Sequence, residues 1–253
     1  MAADLKTKGL SDAAYGAAVE WTRRVHAEYR SAALTAHLVH RLVQIGASSD
    51  LVREAMAVVD DELRHAEDAA KVAAQAASRC RHPIPAAAPL DREALKYPRQ
   101  WDPLELDVAD ACVETFCLGE TVAVPLFIQM RAGATVPIAR DALDRIVVDE
   151  VRHRDFGWLL LETLLAGSEG RLVREFVAAE LPGMCARLAA SYARLKDDTQ
   201  MAPAVRAWGL IPGAEYAQAL ARAANREYRP RLVALGFSGA ALSGLDALEA
   251  LAS

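Results

Sequence analysis

Apolar residues recur at spacings of three and four along almost the whole chain, and no useful stretch alternates with the period of two that a strand requires. The pattern predicts helices and marks where they stop. A first helix begins after Ser11-Asp12, which can cap it, and runs to about Ile45. Gly46-Ala47-Ser48-Ser49-Asp50 makes a tight turn and supplies cap residues for a second helix. That helix carries Leu51, Val52, Met56, Val59, Leu63 and Val72 and ends near Arg79. Between residues 80 and 103, Pro83, Pro85, Pro89, Pro98 and Pro103 forbid a continuous helix. A third helix follows from about Leu104 to Met130. A turn at Ala132-Gly133-Ala134-Thr135-Val136-Pro137 leads to a fourth, from about Ile138 to Leu165.

The pattern thus divides a single all-α domain over 1–253 into two helical hairpins, 12–79 and 104–166, joined by a long crossover, 80–103. Residues 167–253 read as accessory helices. One spans about 169–195, broken or kinked at Pro182-Gly183, and another spans about 213–234. The tail containing Gly236, Gly239 and Gly244 has no clear period.

Composition narrows the class. Hydrophobic residues make up 53% of the 253 positions, ample for a core, and the net charge of −5 argues against a nucleic-acid surface. No uninterrupted apolar run reaches membrane-spanning length, and Met1-Ala2-Ala3-Asp4-Leu5-Lys6 lacks the apolar stretch of a signal peptide. The expectation is a cytoplasmic protein without membrane or nucleic-acid partners. Cys80, Cys112, Cys117 and Cys185 lack zinc-type spacing and read as small buried thiols; Cys112 and Cys117, five apart, would point to different sides of an α-helix.

The chemistry sits in a phrase that occurs twice: Asp61-Glu62-Leu63-Arg64-His65 and Asp149-Glu150-Val151-Arg152-His153. Residues three apart share a helix face, so each copy aims one carboxylate and one imidazole in the same direction. Two such pairs, with one further carboxylate from each of two neighbouring helices, form the di-iron or di-manganese site of helical bundles. Glu62, His65, Glu150 and His153 are therefore the leading ligands. On the first helix, Glu28 precedes Glu62 by 34 positions, which brings the two level in an antiparallel pair, whereas Glu20 lies more than two turns away and is expected to face solvent. On the third helix Glu114 and Glu120 both remain open. Six residues turn a helix by about 600°, so the two cannot share a face. An imidazole bound to metal through one nitrogen donates its other N–H to an acceptor. Asp61 and Asp149 can be those acceptors, each for the histidine of the opposite hairpin, with Arg64 and Arg152 balancing their charge. His26, His37, His40 and Tyr29 sit off this face, and Trp21, Trp101, Trp158 and Trp208 read as core or interface residues.

These motifs resemble the ferritin-like superfamily of carboxylate-bridged di-iron proteins. The doubled Asp-Glu-x-Arg-His resembles that of bacterial multicomponent monooxygenase hydroxylases. Closer still is a group of bacterial ferritin-like domain proteins that share Glu28-x-x-Ser31-x-Ala33, Cys117-x-x-Glu120-Thr121, Gly209-Leu210-Ile211-Pro212 and Arg229-Pro230. The Cys-x-x-Glu-Thr match favours Glu120 over Glu114, and the separation of 30 residues between Glu120 and Glu150 is similar to that in di-iron arylamine N-oxygenases. Those enzymes carry a further histidine one turn before the last Glu-x-x-His, where this chain has Ile146, so a direct N-oxygenase assignment does not follow. The resemblance covers roughly residues 15–235. It implies a ferritin-like four-helix bundle with one long crossover and additional C-terminal helices. It also implies two iron ions, with manganese accepted by the same ligands, at Glu28, Glu62, His65, Glu120, Glu150 and His153. The expected activity is that of an O2-dependent oxidase or oxygenase acting on a small organic substrate, served by an electron donor; a homodimer is compatible with it. The alternative is a ferroxidase or iron-handling stress protein of ferritin or rubrerythrin type. The absence of a Cys-x-x-Cys pair removes the rubredoxin-like centre of a rubrerythrin, and the long extra helices exceed what iron storage needs.

Overall fold

The structure, a computed structural model, describes residues 2–80, 83–84, 91–193, 195 and 199–252. Pro85 and Pro89 of the expected crossover lie outside the described residues. Those described contain helices and turns and no strand, so the chain is all-α.

Helix α1 spans Ala2–Gln44 and begins well before the expected cap; Ser11 and Asp12 lie in its interior. The run Ala2-Ala3-Asp4-Leu5-Lys6 holds no helix breaker, so nothing local stops the helix at residue 12. The buried face of α1 is lined with small residues, Ala14, Ala17 and Ala18, followed by Trp21 and then by Leu38 and Leu42. Gly46, at φ 70°, supplies the left-handed turn after α1. Ser48 then caps α2 (Ser49–Ala77), its Oγ accepting the Leu51 N–H at 3.3 Å. Along α2 the core face is Leu51, Ala55, Val58, Ala66, Ala69 and Val72. Met56 and Leu63, which the apolar pattern suggested for this face, are 57% and 39% exposed. Alanines occupy the buried face instead and let α1 and α2 pack closely.

The crossover contains one 3-10 turn, Glu93–Leu95. It is tied down where the N–H groups of Gln100 and Trp101 donate to buried Asp107 at 2.9 Å each. Helix α3 spans Leu104–Gly133. It is the one helix among those described with the length and mean hydropathy, 1.6, to cross a membrane, but 56% of its apolar stretch is buried within the protein, as in a core helix. Its middle, Cys112–Glu120, is wound as a π-helix. Helix α4 spans Pro137–Ala166, close to the expected bounds. It packs against both α2 and α3.

The remaining chain pads the outside of α3 and α4. Helix α5 (Gly170–Ala193) runs through Pro182 without a break. A short α6 (Pro203–Arg206) leads to Trp208, whose carbonyl accepts the Trp21 indole N–H at 2.9 Å. Helix α7 (Gly213–Ala223) continues through a second π-turn, Ala224–Tyr228, into α8 (Arg229–Ala234), covering the expected 213–234. The tail forms α9 (Ser243–Glu249) against α5. Where α3 and α4 cross, a Cβ on Gly157 would lie 2.3 Å from Phe116 Cβ, so only glycine permits this approach.

Candidate metal centre

The two Asp-Glu-x-Arg-His copies face each other across α2 and α4. His65 and His153 are buried, with ring centroids 5.8 Å apart. Each imidazole is held by the other hairpin. His65 Nε2 donates to Asp149 Oδ2 at 3.2 Å, and His153 Nε2 donates to Asp61 Oδ2 at 3.1 Å. An ionised aspartate only accepts, so both rings are protonated on Nε2 and turn the Nδ1 lone pair inward. Arg64 and Arg152 close on Asp61 from the half-exposed side, and Arg152 also reaches Asp149 Oδ1 at 3.2 Å.

Inside this frame four carboxylates converge. Glu62 lies between the two rings, 3.6 Å from His65 Nδ1 and 3.5 Å from His153 Nδ1. Glu150 does the same at 3.9 and 3.7 Å. Glu28 from α1 joins Glu62 and His65 in one group of donors within 4.8 Å of one another; Glu120 from α3 joins Glu62 and His153 in a second. Both groups share Glu62. Ser31 Oγ donates to Glu62 Oε1 at 2.8 Å and fixes its rotamer.

The electrostatics of the protein groups alone call for a cation. Burial, and then the nearby Glu62, push the Glu28 carboxyl up to about 8. Burial and the neighbouring Glu150 push Glu120 well above the usual carboxylate range. Burial would raise Glu150 too, but the His153 imidazole offsets this and holds it low. Burial would lower both imidazoles, yet Glu62 lifts His65 and Glu150 lifts His153. Buried polar atoms without partners are costly and rare in folded proteins. Here Glu62 Oε2, Glu150 Oε2, His65 Nδ1 and His153 Nδ1 are all buried without a hydrogen-bond partner. Glu62 Oε2 lies 3.6 Å from His65 Nδ1 and Glu150 Oε2 lies 3.7 Å from His153 Nδ1, an arrangement that could hold metal. A mixed shell of imidazole and carboxylate is the donor set of first-row divalent metals.

The chain matches no family model, no curated protein and no solved structure. Its chemistry is therefore read from its donor atoms.

All six sequence-derived ligand candidates and both aspartates are brought together. Glu114, left open by spacing, is exposed and pairs with Arg187 at 3.0 Å on the outer surface. Glu20 is exposed and pairs with Arg23. His37 stacks edge-on against Tyr97, away from the cluster, and Ile146 is fully buried among apolar residues. The thiols of Cys112 and Cys117, expected on different sides, interact because the π-helix stacks residues five apart. Arg24 went unseen in the sequence, and Ser31, which appears there only within Glu28-x-x-Ser31-x-Ala33, had no role assigned. Each shares the Glu28 face by helical spacing, and that spacing was the available signal.

A cleft of ≈ 470 Å³ leads to this cluster between α1 and α3. Glu28, Glu62, Glu120 and Glu150 form its floor; Ala27, Gly119, Ala123 and Phe127 line its walls; Glu20, Arg23 and Arg24 lie at its rim.

Proposed function

We propose that this chain is a ferritin-like four-helix-bundle protein of the carboxylate-bridged di-iron class, and that it works as an O2-dependent oxidase or oxygenase on a small organic molecule in the cytoplasm. The observation that carries this reading is the set of four buried, partnerless inward atoms around the shared Glu62. Glu28, Glu62 and His65 would hold one ion, and Glu62, Glu120 and His153 the second, with Glu150 between them. Manganese suits the same donors. A bound pair of such ions supplies two-electron activation of O2, replenished by an external donor.

The residues of the chain perform the rest. Asp61 and Asp149 fix the tautomer and orientation of both imidazoles, which strengthens them as ligands. Ser31 holds the Glu62 carboxylate, which both candidate metal groups would share. Ala27, Ala123 and Phe127 give the cleft an apolar side beside its acidic floor, against which a small organic molecule can pack.

The test is anaerobic loading with ferrous iron followed by O2 and a panel of small organic substrates, with elemental analysis in parallel. About two metal atoms per chain are expected, as the bundle sites of this type hold, and Glu62→Ala or Glu150→Ala should lose them. An oxygenated or dehydrogenated product supports the oxygenase. Turnover of free ferrous iron into a ferric core, with no organic product, would overturn it in favour of a ferroxidase. Metal content unaffected by both substitutions would sink the ligand assignment.

A further inference from the structure

Among the described residues Arg24 is the one cation lining the cleft without an ion-pair partner, although its field reaches Glu28. Glu20 and Arg23 at the rim cancel as a salt bridge of 2.8 Å. The four floor glutamates carry four negative charges, which two divalent cations would cancel. Asp61 and Asp149 are matched by Arg64 and Arg152. Arg24 remains, and among the described residues its guanidinium has no carboxylate ion pair. It is instead packed between rings, 5.0 Å from the Trp21 centroid and 4.7 Å from that of Phe127, with one nitrogen on Met130 Sδ at 3.3 Å. Tyr216 lies beside it, and the guanidinium offsets part of the rise that burial gives the Tyr216 hydroxyl. A guanidinium held this way has lost most of its side-chain freedom, so little further entropy is lost when it binds an anion.

Its position sets a ruler. Arg24 lies four residues before Glu28 on the same face of α1, a rise of about 6 Å. The backbones of Arg24 and Glu28 are therefore roughly one helical turn apart, and Ala27, Ala123 and Phe127 line the same cleft. The excess is a single positive charge. A monoanion neutralises it; a phosphate monoester, near two negative charges at neutral pH, would leave charge over.

We propose that the substrate is a small organic monocarboxylate whose carboxylate is held by Arg24 at the mouth of the α1–α3 cleft while its apolar end reaches the glutamate floor. This rests on the dinuclear reading above, because without two cations the cleft is strongly negative. Arg24 thus sets specificity and takes no part in oxidation.

Hexanoate and its neutral amide, hexanamide, are the probes, titrated by calorimetry into metal-loaded full-length protein whose metal content is measured on the same sample. Hexanoate is expected to bind at least about tenfold more tightly, about 1.4 kcal/mol. Arg24→Gln should erase that preference while keeping the metal content of the wild type. Arg24→Lys, which retains the charge and packs more nearly like the original, should keep a preference, so the test survives if the Gln variant does not fold. A preference that persists undiminished in Arg24→Gln means the acid binds the metals directly and overturns the proposal. Two metals per chain with equal binding of acid and amide overturns it while leaving the dinuclear reading intact. A chain that takes up no metal yet shows an Arg24-dependent preference overturns the dinuclear reading and keeps the carboxylate site. Neither metal nor preference overturns both.

Discussion

Asp61 is almost fully buried and accepts from three cationic or imidazole groups at once: Arg64, Arg152 and His153. Its negative charge holds both guanidiniums and the His153 ring at once. Asp61→Asn and Asp149→Asn keep the shape but exchange an ionised acceptor for an amide. Each is expected to weaken metal affinity by about 10–100-fold, measured by competition with a chelator, with the helical circular dichroism unchanged. Unaltered affinity in both would show that the aspartates merely neutralise Arg64 and Arg152. At this scale the sequence was unusually readable. A Glu-x-x-His pair is a local geometric statement, and the crossed aspartates follow from their place beside it. Arg24 escaped because an arginine on a long helix has the sequence appearance of solvated charge. Only its packing against the Trp21 and Phe127 rings sets it apart.

Among the elements, α3 departs most from what spacing could predict. A period of 3.6 residues cannot reveal a stretch wound as a π-helix, so the choice between Glu114 and Glu120 was not decidable by rotation alone. The π-segment turns Glu120 inward at its last residue and leaves Glu114 outside. Two contacts hold the winding. Buried Tyr228 donates its hydroxyl to Leu118 O at 2.6 Å, and Cys112 Sγ donates to Gly157 O at 3.2 Å. Gly157 permits the close crossing beneath Phe116. Gly157→Ala is expected to destabilise the fold by about 1–3 kcal/mol through overpacking, and to loosen metal retention because Phe116 lies one turn before Glu120. Gly16→Ala, on a helix with nothing within 4 Å of the added Cβ, should instead be neutral or stabilising by about 0.5–1 kcal/mol. Urea denaturation of the pair checks this, and similar losses in both would remove the special role of the crossing.

For the molecule as a whole, the four long helices of the two hairpins and their order were legible, because amphipathic periodicity and proline-rich breaks are local signals, whereas the short α6 and α9 were not. The docking of α5 to α9 was not legible, since it depends on Trp21 meeting Trp208 and Tyr228 meeting Leu118 across the chain. The cluster also ties global stability to pH. In chelated protein Glu28 has a pKa of about 8 against 4.5 for an ordinary glutamate, and Glu120 is raised as well. A raised folded-state pKa contributes stability that is complete below 4.5 and lost as pH climbs through about 8. His65 and His153, also raised, act in the same direction. Glu150, lowered, opposes them as the pH falls. Chelated protein should therefore melt at a lower temperature at pH 8 than at pH 5, a loss that re-added ferrous or manganous ion reverses. A chelated protein that melts no lower at pH 8 than at pH 5 contradicts the electrostatic picture of the cluster.

Each histidine belongs to one hairpin and takes its bearing from the aspartate of the other. Neither arm can ripen alone, since half the chain carries ligands without the group that aims them. A cation held between α2 and α4 would then be a clasp that closes only on correctly mated halves, and its capture would report that the polypeptide has finished folding.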